Sequence, residues 1–323
     1  SAANPYITIL GPIEKATQRF SIMGICNKGA GILAPVIFAA IILRPTDTEL
    51  FKSLDFMTAI EKSRQLDQLL LRVVIPYTVV GTVLFLLGIM VRYSPLSEID
   101  TERENAATPG FNASETHIFQ FPFLILGAIA IFLHVGTQVI AVDTIIGYAN
   151  SMGLTLMEAK VFPSYTLTAT IIGYFIGIWM VPRFFSQLLA LRVCVVMGFL
   201  LTFCIIFADG KVTIFRQQIG ISAWFVVLLG LFNSLVWPGI WALALRGLGR
   251  FTKLGGSVMI MGLCGNAFLP IIYGYFADKF NVQDAYWVLA PCYIYLIFYA
   301  FYGYRVKNWN FKKTTDLDQY EKA

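Results

Sequence analysis

Charge is missing from this chain in long blocks. No Lys, Arg, Asp or Glu occurs in the 19 residues between Arg72 and Arg92, the 22 between Lys160 and Arg183, or the 24 between Lys253 and Asp278. Similar gaps run from Glu115 to Asp143, Arg192 to Asp209, Arg216 to Arg246 and Asp284 to Arg305. A helix rises about 1.5 Å per residue, so about 20 apolar residues cross the hydrocarbon core of a bilayer. Water is absent there, and a run this long satisfies its own backbone only as a helix. The pattern predicts an all-α integral membrane protein with eight complete spans near 20–43, 73–91, 118–142, 161–182, 193–208, 217–245, 254–277 and 285–304. Of these, 193–208 is short at 16 residues. The stretch 1–13 is too short to cross alone and reads as the back half of a further span.

Composition narrows the function classes. With 57% apolar and 13% charged residues, the chain lacks the charge that would cover a soluble protein of 323 residues. The net charge of +5 does not point to nucleic acid, because Lys and Arg sit in short loops and the tail, where membrane topology uses them. All five cysteines fall inside spans at no metal-ligand spacing, as small packing residues do. There is no Gly-rich phosphate loop after a strand and there are only two histidines, so neither an enzyme nor a bound cofactor is expected.

Two distant segments repeat one another. Pro5-Tyr6-Ile7, Arg19-Phe20, Ile22-Met23-Gly24-Ile25-Cys26 and Pro35 return in order as Pro238-Gly239-Ile240, Arg250-Phe251, Ile260-Met261-Gly262-Leu263-Cys264 and Pro270. Three more spans precede the second copy, and their partners before the first copy are absent. The complete plan is then two six-helix bundles related as parallel repeats, the major facilitator fold, with about the first three spans missing here. The expected division is 1–92 for the remainder of the first bundle and 93–116 for a polar linker holding Pro95, Pro109 and Gly110. The second bundle is 117–304, followed by a tail at 305–323. Segments on the tail's side of the membrane carry 14 Lys and Arg against nine on the other, which predicts a cytoplasmic C-terminus. The loop at 45–68 has apolar residues near helical spacing and predicts a short amphipathic helix at the membrane surface.

Polar residues inside spans are costly and mark a cavity or a partner. Gln138 has the hydrogen-bonding capacity to hold a polar solute, and Asp143 suits sugar or proton binding, an interfacial anchor or an interhelical salt bridge. His134 reads as an interhelical hydrogen bond, and Lys28 as a side chain snorkelling to the cytoplasmic surface. Asn27 has donors and an acceptor for a sugar hydroxyl, and Asn266 is the matching amide on the repeat-related span. Trp237 and Trp241 lie four apart on one face with Asn233 a turn earlier, either as an aromatic platform for a sugar ring or as plain packing.

The stretch Ala2-Ala3-Asn4-Pro5-Tyr6-Ile7-Thr8-Ile9-Leu10-Gly11 resembles the fourth span of the fucose:proton symporter and glucose/galactose transporter group of the major facilitator superfamily. The resemblance continues through Asn27, Val135-Gly136-Thr137-Gln138 and Gly173-Tyr174-Phe175-Ile176-Gly177-Ile178-Trp179, covering essentially the whole chain. It implies proton-coupled import of a hexose or 6-deoxyhexose by alternating access, in the inner membrane of a bacterium and as a monomer. A small-molecule sugar and the lipid bilayer are the implied partners, and a proton the coupling ion. The family's acidic coupling residues fall before Ser1. Asn27 matches a family position associated with sugar binding. Departures are Gly24 for a glutamine, Tyr174 for a basic residue, Pro182 for an acid before Arg183, and Asp143 for a small hydroxyl residue. The alternatives are a differently coupled facilitator of another small solute, or a fragment inert as it stands.

Overall fold

The computed structural model describes residues 15–42, 57–94, 117–181, 183–214, 217–307 and 309. The expectations for residues 1–13, for most of the 93–116 linker, for Pro182 and for the tail lie outside them. All eight expected spans are helical. They are α1 (Ala16–Ile42), α2 (Ala59–Arg92), α3 (Pro122–Asp143) continued by α4 (Ile145–Ser151), α5 (Phe162–Met180), α6 (Gln187–Phe207), α7 (Ile221–Asn233) with α8 (Val236–Ala244), α9 (Thr252–Met261) with α10 (Gly265–Lys279), and α11 (Leu289–Phe301). Six described segments are long and apolar enough to cross a membrane: 60–92, 122–143, 187–207, 221–244, 252–279 and 284–305.

Three boundaries differ from the charge pattern, each for a local reason. The run at 73–91 belongs to a helix that begins at Ala59, where Thr58 and Glu61 close a reciprocal capping box. Residues 59–68 are therefore continuous with the span rather than a separate surface helix, and 43–56 lie outside the described residues. The short run at 193–208 is lengthened to 21 residues by starting at Gln187, with Ser186 Oγ accepting from the Leu189 N–H. Arg192 is thereby drawn into the helix. Its Nε donates to the Ala300 carbonyl at 3.2 Å, Nη2 to Tyr304 at 3.3 Å, and the guanidinium lies 4.9 Å from the Phe301 ring centre. The run from 217 opens as a strand: Lys211–Ile214 pairs antiparallel with Gln217–Gly220, and the helix starts only at Ile221.

The described residues divide into two compact units. One takes the chain up to Gly29 together with the chain from Ile99 on, and the other is Ala30–Glu98. In the first unit α3 is the central helix, packed against α5, α7, α8, α9, α10 and α11. Leu124, Ile131 and Ile140 of α3 are fully buried, and Tyr299 reaches from α11 to the Phe123 carbonyl at 3.3 Å.

Two glutamines close helix ends that carry no basic residue in their last turn. Gln283 Nε2 donates to the carbonyls of Ile205 at 2.9 Å, Ile206 at 3.2 Å and Ala208 at 3.3 Å at the end of α6. Gln18 Nε2 does the same for α5, at 3.2 Å to Ile178 and 2.8 Å to Val181. The last carbonyls of a helix have no partner within it, and a side-chain amide supplies one.

Candidate functional site

The N-terminal part of α1 packs through one stripe. Thr17, Phe20, Ser21 and Gly24 are buried, Lys28 continues the line half-buried, and Asn27 beside it is exposed. The four-three-four spacing of 17, 21, 24 and 28 is that of a single helix face. Phe20 meets Trp241 of α8 with ring centres 6.4 Å apart, and Trp241 meets Trp237 at 5.6 Å. Tyr174 of α5 lies so close over Gly24 that a Cβ there would run into its ring. The small and polar members of this stripe hide it from a count of apolar residues.

Three helical runs of the same unit are interrupted. Thr144 separates α3 from α4, Ser234 and Leu235 separate α7 from α8, and a single 3-10 turn at Gly262–Cys264 separates α9 from α10. Interrupted helices free backbone and side-chain groups at depth, and transporters build solute sites there. At the first break Thr144 Oγ1 donates to the Ile140 carbonyl at 2.6 Å and stands 3.3 Å from the Tyr286 hydroxyl. Tyr148 just beyond it donates to Ser222 Oγ at 2.7 Å.

The expected site residues separate into two groups. Asn27, Asp143 and Asn266 are exposed, and Gln138 and Trp237 partly so. Gln138 makes no hydrogen bond to another described residue, which leaves its donors and acceptor available. Asn233 and Trp241 are instead sealed, at 1% and 0% exposure. Asn233 Oδ1 accepts from the Tyr293 hydroxyl at 2.7 Å, so α7 and α11 are tied together. Trp241 packs between Phe20 and Trp237. Both retain a side-chain N–H without a partner, Asn233 Nδ2 and Trp241 Nε1.

One residue departs from its sequence reading. His134 is fully buried and neither ring nitrogen has a hydrogen-bond partner, so it supplies no interhelical hydrogen bond. Lys28 is half-buried on α1, where Asp143 and His134 of α3 influence its charge electrostatically. Among the described residues no group of three or more His, Cys, Asp or Glu can hold a metal ion. The accessible set offers amide donors and acceptors, one carboxylate, one ammonium and an indole, which suits a hydroxyl-rich solute rather than bond-making chemistry.

No protein-family model matches the chain. The glucose/galactose transporter of Brucella abortus is 28% identical over 306 residues, spanning 94% of this chain and 67% of that protein. The L-fucose-proton symporter of Escherichia coli is 26% identical over 311 residues, spanning 93% of this chain and 67% of that one. The crystal structure of the major facilitator superfamily transporter FucP in the outward conformation matches with a TM-score of 0.74 at 22% identity, over 92% of this chain and 70% of its own. The fold is therefore that of the major facilitator superfamily, and the relatives are transporters rather than enzymes.

Proposed function

We propose that this chain is the greater part of a secondary transporter that imports a hexose or 6-deoxyhexose by alternating access, coupled to protons. The observation that carries the reading is agreement of sequence with named sugar transporters over more than nine-tenths of the chain. The exposed and partly exposed polar residues suit such a solute. Asn27, Gln138 and Asn266 exchange hydrogen bonds with sugar hydroxyls, Asp143 accepts from them, and Trp237 offers an apolar face to the ring. Asn233 and Trp241 line the second layer, their free N–H groups becoming donors when the helices part. No chemistry is performed on the solute.

In this reading residues up to 92 belong to the first bundle, 93–116 link it to the second at 117–304, and the tail from 305 is cytoplasmic. The protein works as a monomer in the inner membrane. The test is uptake by cells expressing the full-length gene product that contains this chain, with labelled fucose, galactose, glucose and mannose. Accumulation of one sugar with alkalinisation of an unbuffered medium supports symport. Accumulation without a pH change removes proton coupling, and failure of every sugar despite normal membrane expression removes the sugar reading.

A further inference from the structure

The seam between α1 and its neighbours is tied at one end and carries unpaired polar groups along its length. It begins where two helix ends meet. Gln18 is the third residue of α1, and its amide reaches the last carbonyls of α5, at 3.2 Å to Ile178 and 2.8 Å to Val181. From there the seam runs about 10 Å along α1, through Phe20 against Trp241 to Gly24 beneath the Tyr174 ring. Three polar atoms enclosed in it have no hydrogen-bond partner: Thr17 Oγ1, Ser21 Oγ and Trp241 Nε1. Their residues are 2%, 0% and 0% exposed, so bulk water does not reach them either.

Buried hydroxyls elsewhere in the same unit behave differently. Thr166, Thr170 and Thr202 each turn back to the carbonyl four residues earlier, at 3.3, 2.9 and 2.9 Å. A buried polar group left unpaired costs free energy that contact with water returns. The seam is thus held by two hydrogen bonds from one side chain and by ring packing, and opposed by three groups that closure leaves unpaired. α1 is also placed to transmit movement to it. The helix is unbroken from Ala16 to Ile42, yet its residues up to Gly29 belong to the unit of α3–α11 and those from Ala30 to the unit of α2. A helix shared in this way carries movement of Ala30–Glu98 back to Gln18, 12 residues or about 18 Å before Ala30.

We infer that this seam is a spring-loaded latch: the Gln18 amide holds α1 on α5, and the unpaired groups of Thr17, Ser21 and Trp241 favour its release. When α1 parts from α5 and α8, water pairs all three groups and the two α5 carbonyls together. The balance between the tie and the unpaired groups fixes how often the seam opens, whatever solute the protein carries. In the alternating-access reading, that opening is one of the movements of the cycle.

The test places a Thr17→Cys reporter in the purified full-length gene product, held in lipid nanodiscs without sugar. Labelling by a water-soluble thiol reagent is read at position 17 by peptide mass, and Cys26, exposed on the same helix, is the internal control. Gln18→Ala, Ser21→Ala and the double variant are compared with the reporter parent. Gln18→Ala is expected to speed labelling at position 17 about tenfold. Ser21→Ala is expected to slow it several-fold and to raise the thermal midpoint, so a variant that folds at least as well as the parent carries the decisive arm. The double variant falls between the two singles, and Cys26 labels at a constant rate throughout. An unchanged rate in Gln18→Ala removes the latch, and an unchanged or faster rate in Ser21→Ala removes the load; either result overturns the inference. A rise at position 17 matched at Cys26 marks unravelling of α1 and overturns it as well. If no sugar is transported, the proposed function fails separately, and the labelling rates still decide the latch.

Discussion

The motif Ile-Met-Gly-hydrophobic-Cys occurs twice, at residues 22–26 in α1 and 260–264 between α9 and α10, and the two copies behave differently. In α1 the helix runs through it unbroken from Ala16 to Ile42. In the second copy the helix gives way to a 3-10 turn at Gly262–Cys264 and restarts at Gly265. The glycine of each copy is tightly packed, but against different material. Gly24 meets the ring of Tyr174, whereas Gly262 meets the Ala128 carbonyl and Gly265 the Phe132 carbonyl of α3. Position by position, Asn27 corresponds to Gly265 and Lys28 to Asn266. At the first of these positions one copy places the Asn27 amide where the other places backbone contact, and at the second both copies carry a polar side chain, so Asn266 answers to Lys28 rather than to Asn27. A repeat conserves where helices come close, and leaves open whether a side chain or a carbonyl fills the contact.

That difference makes graded predictions. Gly265→Val should do the most damage, because its Cβ meets a carbonyl that has no rotamer to escape into. About 3 kcal/mol of destabilisation is expected, read as loss of folded protein in a thermal melt of the purified transporter. Gly24→Ala should cost less, about 1–2 kcal/mol, and Tyr174→Leu in the same chain should restore most of it, because a side chain can yield. If Gly265→Val proves milder than Gly24→Ala, or Tyr174→Leu restores nothing, the contrast between backbone and side-chain contact is wrong. Asn27→Ala should leave the melt unchanged and cut sugar uptake about tenfold, equivalent to ~1.4 kcal/mol. Normal uptake in this variant would remove Asn27 from the site. Gln18→Ala should be smallest, about 1 kcal/mol, since it strips the two carbonyl contacts at the end of α5. Gln18→Glu should be no better, because a carboxylate cannot donate to a carbonyl, and full stability in that variant would dismiss the capping role.

The spans were legible because the cost of a charge in hydrocarbon leaves a visible gap, and every expected gap encloses a helix. The interruptions were not. Gly262–Cys264 sits within apolar sequence with no charge beside it, Ser234 with Leu235 is followed only by Pro238, and Thr144 follows Asp143, whose charge reads as the end of a span rather than as a break in a longer helix. The hairpin at 211–220 was hidden because its second strand falls in the gap that follows Arg216. For the site, Asn27, Asp143 and Asn266 are exposed, and whether they serve a solute is for the uptake measurements to decide. Reading intramembrane polar residues as functional also picked Asn233, whose oxygen serves Tyr293 sixty residues away. Polarity in a span says that a partner exists, and only the fold says whether the partner is a solute or another helix.

The capping box at Thr58 has a mechanical consequence. By starting α2 at Ala59 it makes a rod of 34 residues, about 51 Å long, of which the bilayer core occupies about 30 Å. The remainder overhangs. If the helix tilts by about 10° as one piece, without bending at the interior Pro76, its far tip sweeps about 9 Å. Ile60, at that tip and 83% exposed, is therefore where a fluorescent or spin label would turn a small rocking motion inside the membrane into a large displacement outside it.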